Sequence, residues 1–90
     1  MSRVARHLIV TGKVQGVFFR DWTVAQATGL GLDGWVRNLP DGTVEILAAG
    51  DTAAVADLIR RAHDGPARAQ VDGVTEAPAD DPGTTGFARR

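Results

Sequence analysis

Residues 35–49 read Trp35-Val36-Arg37-Asn38-Leu39-Pro40-Asp41-Gly42-Thr43-Val44-Glu45-Ile46-Leu47-Ala48-Ala49. Two apolar, β-branched runs flank Pro-Asp-Gly, a combination that presets one turn dihedral and frees another. The stretch therefore predicts a hairpin between a strand at residues 35–39 and a strand at residues 43–49. Immediately downstream, Asp51 or Thr52 can cap a helix on which Val55, Leu58, Ile59 and Ala62 recur at i, i+3, i+4 and i+7. Gly65-Pro66 ends it, which makes this the clearest amphipathic helix in the chain.

Working outward, residues 4–13 predict a first strand, because His7, Ile9 and Thr11 alternate with Leu8 and Val10. A helix over residues 19–29 follows, with Val24, Ala27 and Leu30 on one stripe. A fourth long strand lies near residues 69–76. Val71 and Val74 break its alternation and predict a bulge around Asp72-Gly73. After the loop Ala77-Pro78-Ala79-Asp80-Asp81-Pro82-Gly83-Thr84-Thr85, a short last strand ends in Phe87. The order βαββαβ specifies an α+β, ferredoxin-like sandwich: an antiparallel sheet with two helices on one face. That fold alone decides nothing about activity.

The chain has 90 residues, no cysteine, 43% apolar and 23% charged residues, and a formal net charge of -1. These numbers predict one domain over residues 1–90 whose core holds without a disulfide or thiolate metal site. Thiol nucleophiles are excluded. The near-neutral balance supplies no global field for nucleic acid or anionic lipid. No apolar run reaches a membrane span or a signal-peptide core, so the expectation is a soluble, cytoplasmic chain, monomeric by default for its size. Arg3, Arg6, Lys13 and Arg20 precede the first acid, whereas Asp72, Glu76, Asp80 and Asp81 have no base between them. Two oppositely charged segments can meet or stay solvated, or the basic one can face a small anion.

Gly12-Lys13-Val14-Gln15-Gly16-Val17-Phe18-Phe19-Arg20 sits between the first strand and the first helix. It is not a Walker A loop, since Val17 and Phe18 stand where Lys and Ser/Thr are needed. Unpaired N–H groups at a helix N-terminus, joined by those of the preceding turn, nevertheless suit a phosphate-sized anion. Arg20 places a cation in the first helical turn, against the macrodipole, and a bound phosphate would offset that cost. The alternatives are that Arg20 faces solvent or pairs with Asp21. Asn38, at a strand end before Pro-Asp-Gly, either satisfies local backbone or uses a carboxamide that donates and accepts to hold a water.

Gly29-Leu30-Gly31-Leu32-Asp33-Gly34 matches a dinucleotide fingerprint formally, but it follows a helix and precedes a strand, so a helix C-cap explains it better. His7 has no partners at metal-ligand spacing, and His63 suits a helix C-terminus. Trp22 and Trp35 are expected to anchor packing. No carboxylate pair has the spacing of a general acid and base.

Gly12-x-Val14-Gln15-Gly16-Val17-x-Phe19-Arg20, then Ala27, Gly31, Gly34-Trp35-Val36-Arg37-Asn38 and Asp41-Gly42-Thr43-Val44-Glu45, resemble the acylphosphatase family. The similarity continues through Gly65-Pro66, Val71 and Val74 to Phe87. The resemblance implies metal-independent hydrolysis of acyl phosphates to a carboxylate and inorganic phosphate, with no cofactor. Carried over by residue, Arg20 binds the phosphoryl group and Asn38 positions water. The backbone amides of Gln15, Gly16, Val17, Phe18 and Phe19 form the cradle. It also implies a small-molecule acyl phosphate as partner, with inorganic phosphate or sulfate as product-like ligands. One departure is Arg89, where the family tends to place an apolar residue. On the sequence this bears on stability of the closing strand more than on the site. A non-catalytic, anion-sensing module on the same fold is the competing reading.

Overall fold

The structure, a computed structural model, describes residues 2–90. Its elements run β1 (Arg3–Lys13), α1 (Phe19–Gly29), β2 (Asp33–Asn38), β3 (Val44–Asp51), α2 (Thr52–Asp64), β4 (Gln70–Pro78) and β5 (Phe87–Arg89). The strands form one sheet in the order β4-β1-β3-β2-β5. Helix α1 lies over β2 and β5, and α2 lies over β4, β1 and β3, which is the ferredoxin-like arrangement.

The hairpin β2–β3 is antiparallel, with Asn38 opposite Val44 and Val36 opposite Ile46. Its turn closes through Leu39 N–H to the Thr43 carbonyl at 2.9 Å. Asp41 stiffens it by accepting from the Thr43 amide at 3.0 Å and hydroxyl at 2.6 Å. Those two bonds hold the Asp41 carboxyl below its ordinary range, hydroxyl first.

Pleating sends alternate residues to opposite faces. Leu8 and Val10 of β1, Val44, Ile46 and Ala48 of β3 and Val36 of β2 all point under the helices and are fully buried. They meet Phe19 and Ala27 of α1 and Val55 and Leu58 of α2 in one cluster. The carboxylate of Asp51 caps α2 by accepting from the Ala53 amide at 3.2 Å. The hydroxyl of Thr52 instead donates to the Ser2 carbonyl.

Helix α1 ends as the glycine pattern requires. Leu32 N–H reaches the Ala27 carbonyl at 2.9 Å and Gly31 N–H the Thr28 carbonyl at 3.1 Å, with Gly31 at φ 71°. This is a Schellman motif, so those glycines terminate a helix. The β1–β4 register steps from Thr11 opposite Gly73 to Gly12 opposite Val71, leaving Asp72 as the extra residue of the expected bulge.

The two charged segments do meet: Arg3 donates to Asp81 at 2.5 Å and to Asp33 at 3.0 Å. On the uncovered sheet face, Glu45 joins His7 at 2.7 Å and Arg37. Trp22 packs against Phe19, their ring centroids 5.4 Å apart. Trp35 is not a core anchor. It lies beneath the guanidinium groups of Arg37 and Arg90, 5.1 and 4.8 Å from the ring centre.

The last strand differs from expectation in place and direction. It begins at Phe87 instead of ending there, and it runs parallel to β2, with Gly34 opposite Phe87 and Val36 opposite Arg89. Antiparallel pairing thus covers four strands, and the edge strand makes the sheet mixed. The chain reaches that edge by the long loop after β4, which crosses the end of the sheet and so delivers β5 in the same direction as β2. No helix among the described residues is long and apolar enough to cross a membrane.

Candidate active site

The loop of residues 14–18 connects the end of β1 to the start of α1. Two residues in it take left-handed backbone, Gly16 at φ 74° and Phe18 at φ 63°. Glycine adopts this conformation freely, whereas for an L-residue such as Phe it costs about 1–2 kcal/mol. Phe18 is the N-cap of α1 and offers no side-chain cap. Among the described residues, no amide from Gln15 to Arg20 donates a hydrogen bond to another protein group. The helix N-terminus and the turn before it therefore present a run of free donors, the arrangement that favours an anion.

The loop borders a cleft of about 210 Å³ lined by Val14, Gly16, Phe18, Phe19, Arg20, Asp21, Asn38 and Arg89. Five of the seven residues singled out in the sequence are thus brought together: Gly16, Phe18, Phe19, Arg20 and Asn38. Gln15 and Val17 are not in the lining. Gln15 Nε2 turns to the hairpin and donates to the Leu39 carbonyl at 2.8 Å and the Thr43 carbonyl at 2.9 Å. It ties the loop to the turn that follows Asn38. Val17 packs against the core cluster.

Asn38 reaches the cleft because it stands two residues beyond Val36 on the same pleat face, at the end of β2 under the start of α1. Its Oδ1 is buried and has no hydrogen-bond partner among the described residues. A buried acceptor left unpaired costs about 1–3 kcal/mol, and the residue that carries this one lines the cleft.

Arg20 neither faces solvent alone nor pairs with Asp21. Its Nη1 donates to the Arg90 carbonyl at 3.0 Å. That bond uses one of the five N–H donors of a guanidinium and orients the planar fork, leaving the others for an oxyanion. Asp21 is engaged by Arg89, Nη1 to Oδ1 at 2.8 Å.

The closing strand consequently reaches the cleft, which corrects the expectation that the departure at Arg89 bears on stability more than on the site. In parallel register with β2, Arg89 shares the face of Val36 and comes up beside α1, while Ala88 lies opposite Trp35 on the other face. Arg90 anchors the end through its N–H to the Val36 carbonyl at 2.8 Å. Val14, Asp21 and Arg89 are the lining residues that the sequence did not single out as site residues. The departure at Arg89 was the available signal, but only the parallel placement of β5 brings it to the cleft.

The comparisons with known proteins bear on the family and the fold. The acylphosphatase family model matches residues 6–89. An acylphosphatase of Acidiphilium cryptum is 51% identical over 87 residues, covering 97% of this chain and 96% of that one. An acylphosphatase structure from Coxiella burnetii superposes with a TM-score of 0.94 at 36% identity, covering 98% of this chain and 93% of that one. The acylphosphatase structure from Bacillus subtilis gives 0.93 at 32% identity, with 97% and 98% covered. A family model that matches residues 6–89 and a relative 51% identical along nearly the whole length place the chain in the acylphosphatase family of hydrolases.

Proposed function

We propose that this chain, as one domain over residues 1–90, hydrolyses acyl phosphates to a carboxylate and inorganic phosphate without a metal ion. The observation that carries the mechanism is that Asn38, whose buried Oδ1 has no partner among the described residues, lines the same cleft as Arg20. The substrate's phosphoryl oxygens take the free amides of Gln15, Gly16, Val17, Phe18 and Phe19 and the remaining donors of Arg20. Gly16 allows the close backbone approach.

In a loose phosphoryl-transfer transition state the protein has little bond-making to do, and fixed donors where charge redistributes supply most of the acceleration. The Asn38 carboxamide, which can both donate and accept, hydrogen-bonds the attacking water and aligns it with the scissile P–O bond. The water oxygen bonds to phosphorus as the bond to the carboxylate oxygen breaks, and that electron pair leaves with the carboxylate. An amide is a poor base, so a phosphoryl oxygen of the substrate accepts the water's proton. The carboxylate is stable as an anion and needs no acid to depart, which agrees with a cleft whose one carboxylate, Asp21, is engaged by Arg89.

Small acyl phosphates are the partners of this reading, and inorganic phosphate or sulfate would occupy the cradle as product-like inhibitors. The test is hydrolysis of benzoyl phosphate followed by ultraviolet absorbance in the presence of EDTA. Turnover that competes with added phosphate supports the reading. A folded protein that binds phosphate and turns over nothing refutes it in favour of an anion sensor.

A further inference from the structure

Phe18 is the exposed large hydrophobic residue of the described chain, with 69% of its surface open to solvent. It bears two costs at once. Its ring lacks the burial that every other Phe and Trp obtains at least in part, and its backbone takes a left-handed conformation that an aromatic residue rarely adopts. Two positions earlier the loop meets the same backbone demand with Gly16. Strain at a residue that packing does not reward, beside a reacting centre, points to a role in function.

Phe18 lines the cleft that also holds Arg20 and Asn38. The rest of that lining offers little apolar surface to a ligand: Val14 and Phe19 are 1% and 2% exposed, and Asp21 and Arg89 bind each other. With the phosphoryl group engaged by the loop amides and Arg20, the organic end of a substrate has one open apolar surface to cover. We propose that Phe18 is a specificity-determining residue whose ring receives the acyl group, so that the preferred substrates are acyl phosphates with an aromatic or longer alkyl acyl chain. This rests on the acyl phosphate reading above and names the substrate class within it.

The test compares kcat/KM for acetyl, hexanoyl and benzoyl phosphate in the wild type, Phe18→Asn and Phe18→Leu. Asn tolerates left-handed backbone, so Phe18→Asn removes the ring and relieves the strain together. Its thermal midpoint should be no lower than that of the wild type. Intrinsic reactivity of the three substrates cancels when ratios are compared between proteins. The benzoyl-to-acetyl ratio should fall about fivefold to tenfold in Phe18→Asn, the scale of one lost aromatic contact. In Phe18→Leu the hexanoyl-to-acetyl ratio should be largely retained, because an apolar surface remains. Equal ratios in all three proteins would overturn the role of the ring while leaving the hydrolytic reading intact. Failure of the wild type on every acyl phosphate would overturn both.

Discussion

Asp21 Oδ1 receives Arg89 Nη1 at 2.8 Å, one residue along from the 3.0 Å bond between Arg20 Nη1 and the Arg90 carbonyl. Two consecutive residues of the first turn of α1 are thereby clasped to Arg89, the last residue of β5, and to Arg90 after it. A three-residue edge strand is otherwise weakly held, so the clasp sets where the Arg20 fork points.

Loosening the clasp should therefore show in substrate binding more than in stability. The side chains of Arg89 and Asp21 are 49% and 57% exposed, and an ion pair so wet contributes at most about 1 kcal/mol. Asp21→Asn should shift the thermal midpoint by only a few degrees. It should raise KM for benzoyl phosphate about twofold to fivefold and weaken phosphate inhibition in step. Added salt should raise KM more in the wild type than in the variant, because only the wild type has the pair to screen. An unchanged KM would deny the clasp its positioning role.

Asn38→Ala removes an acceptor that nothing among the described residues satisfies. Stability should stay level or rise slightly, since a buried unpaired oxygen is lost. Turnover should fall about 100-fold to 1,000-fold, the scale seen when one transition-state hydrogen bond is deleted, with phosphate inhibition nearly intact. Thermal melts and steady-state kinetics on the same preparation separate the two effects. Wild-type kcat in the variant would eliminate the water-positioning role.

Arg20→Ala should weaken phosphate inhibition and turnover together, because the guanidinium serves both the ground state and the developing charge. Competition by inorganic phosphate reads this directly, and unchanged inhibition would contradict the assignment.

Acid should loosen the contact between the loop after β4 and the rest of the fold. The Asp33 carboxyl is held below its ordinary range by the Gly86 amide and then by Arg3, and the Asp81 carboxyl by Arg3 and then by the Gly83 amide. A folded value below the unfolded one stabilises fully above about pH 4 and is lost as pH falls through the folded value. The thermal midpoint should be flat from about pH 7 to 5 and decline below about pH 4. Asp33→Asn should lower the midpoint at pH 7 and make the acid decline shallower. An equally steep decline would place the acid sensitivity elsewhere.

The elements most legible in the sequence were those determined locally. The Pro-Asp-Gly turn, the 3.6-residue stripe of α2 and the bulge near Asp72 follow from turn chemistry and side-chain period, and all appear in the structure. The boundaries of α1 were also readable, because Phe19 opens the helix after the glycine turn and Gly31 closes it. Motif resemblance pointed to Arg20 and Asn38, and the pleat explains why Asn38 shares a cleft with a residue 18 positions earlier. What could not be read was non-local. The parallel register of three residues after a long polar loop leaves no periodic signal, so β5, the Arg90 carbonyl on Arg20 and the Asp21–Arg89 pair became visible only in three dimensions. The left-handed backbone of Phe18 was equally hidden, because an aromatic residue gives no warning of such a conformation.

The most direct test of the central claim is the fate of oxygen from water. A single turnover of benzoyl phosphate in oxygen-18 water, with benzoate and phosphate analysed by mass spectrometry, reports which bond is broken. Water aligned by Asn38 on a phosphoryl group held by Arg20 and the loop amides predicts one labelled oxygen in the phosphate and none in the benzoate. Label in the benzoate would mean attack at the acyl carbon, and the geometry assigned to Arg20 and Asn38 would be wrong.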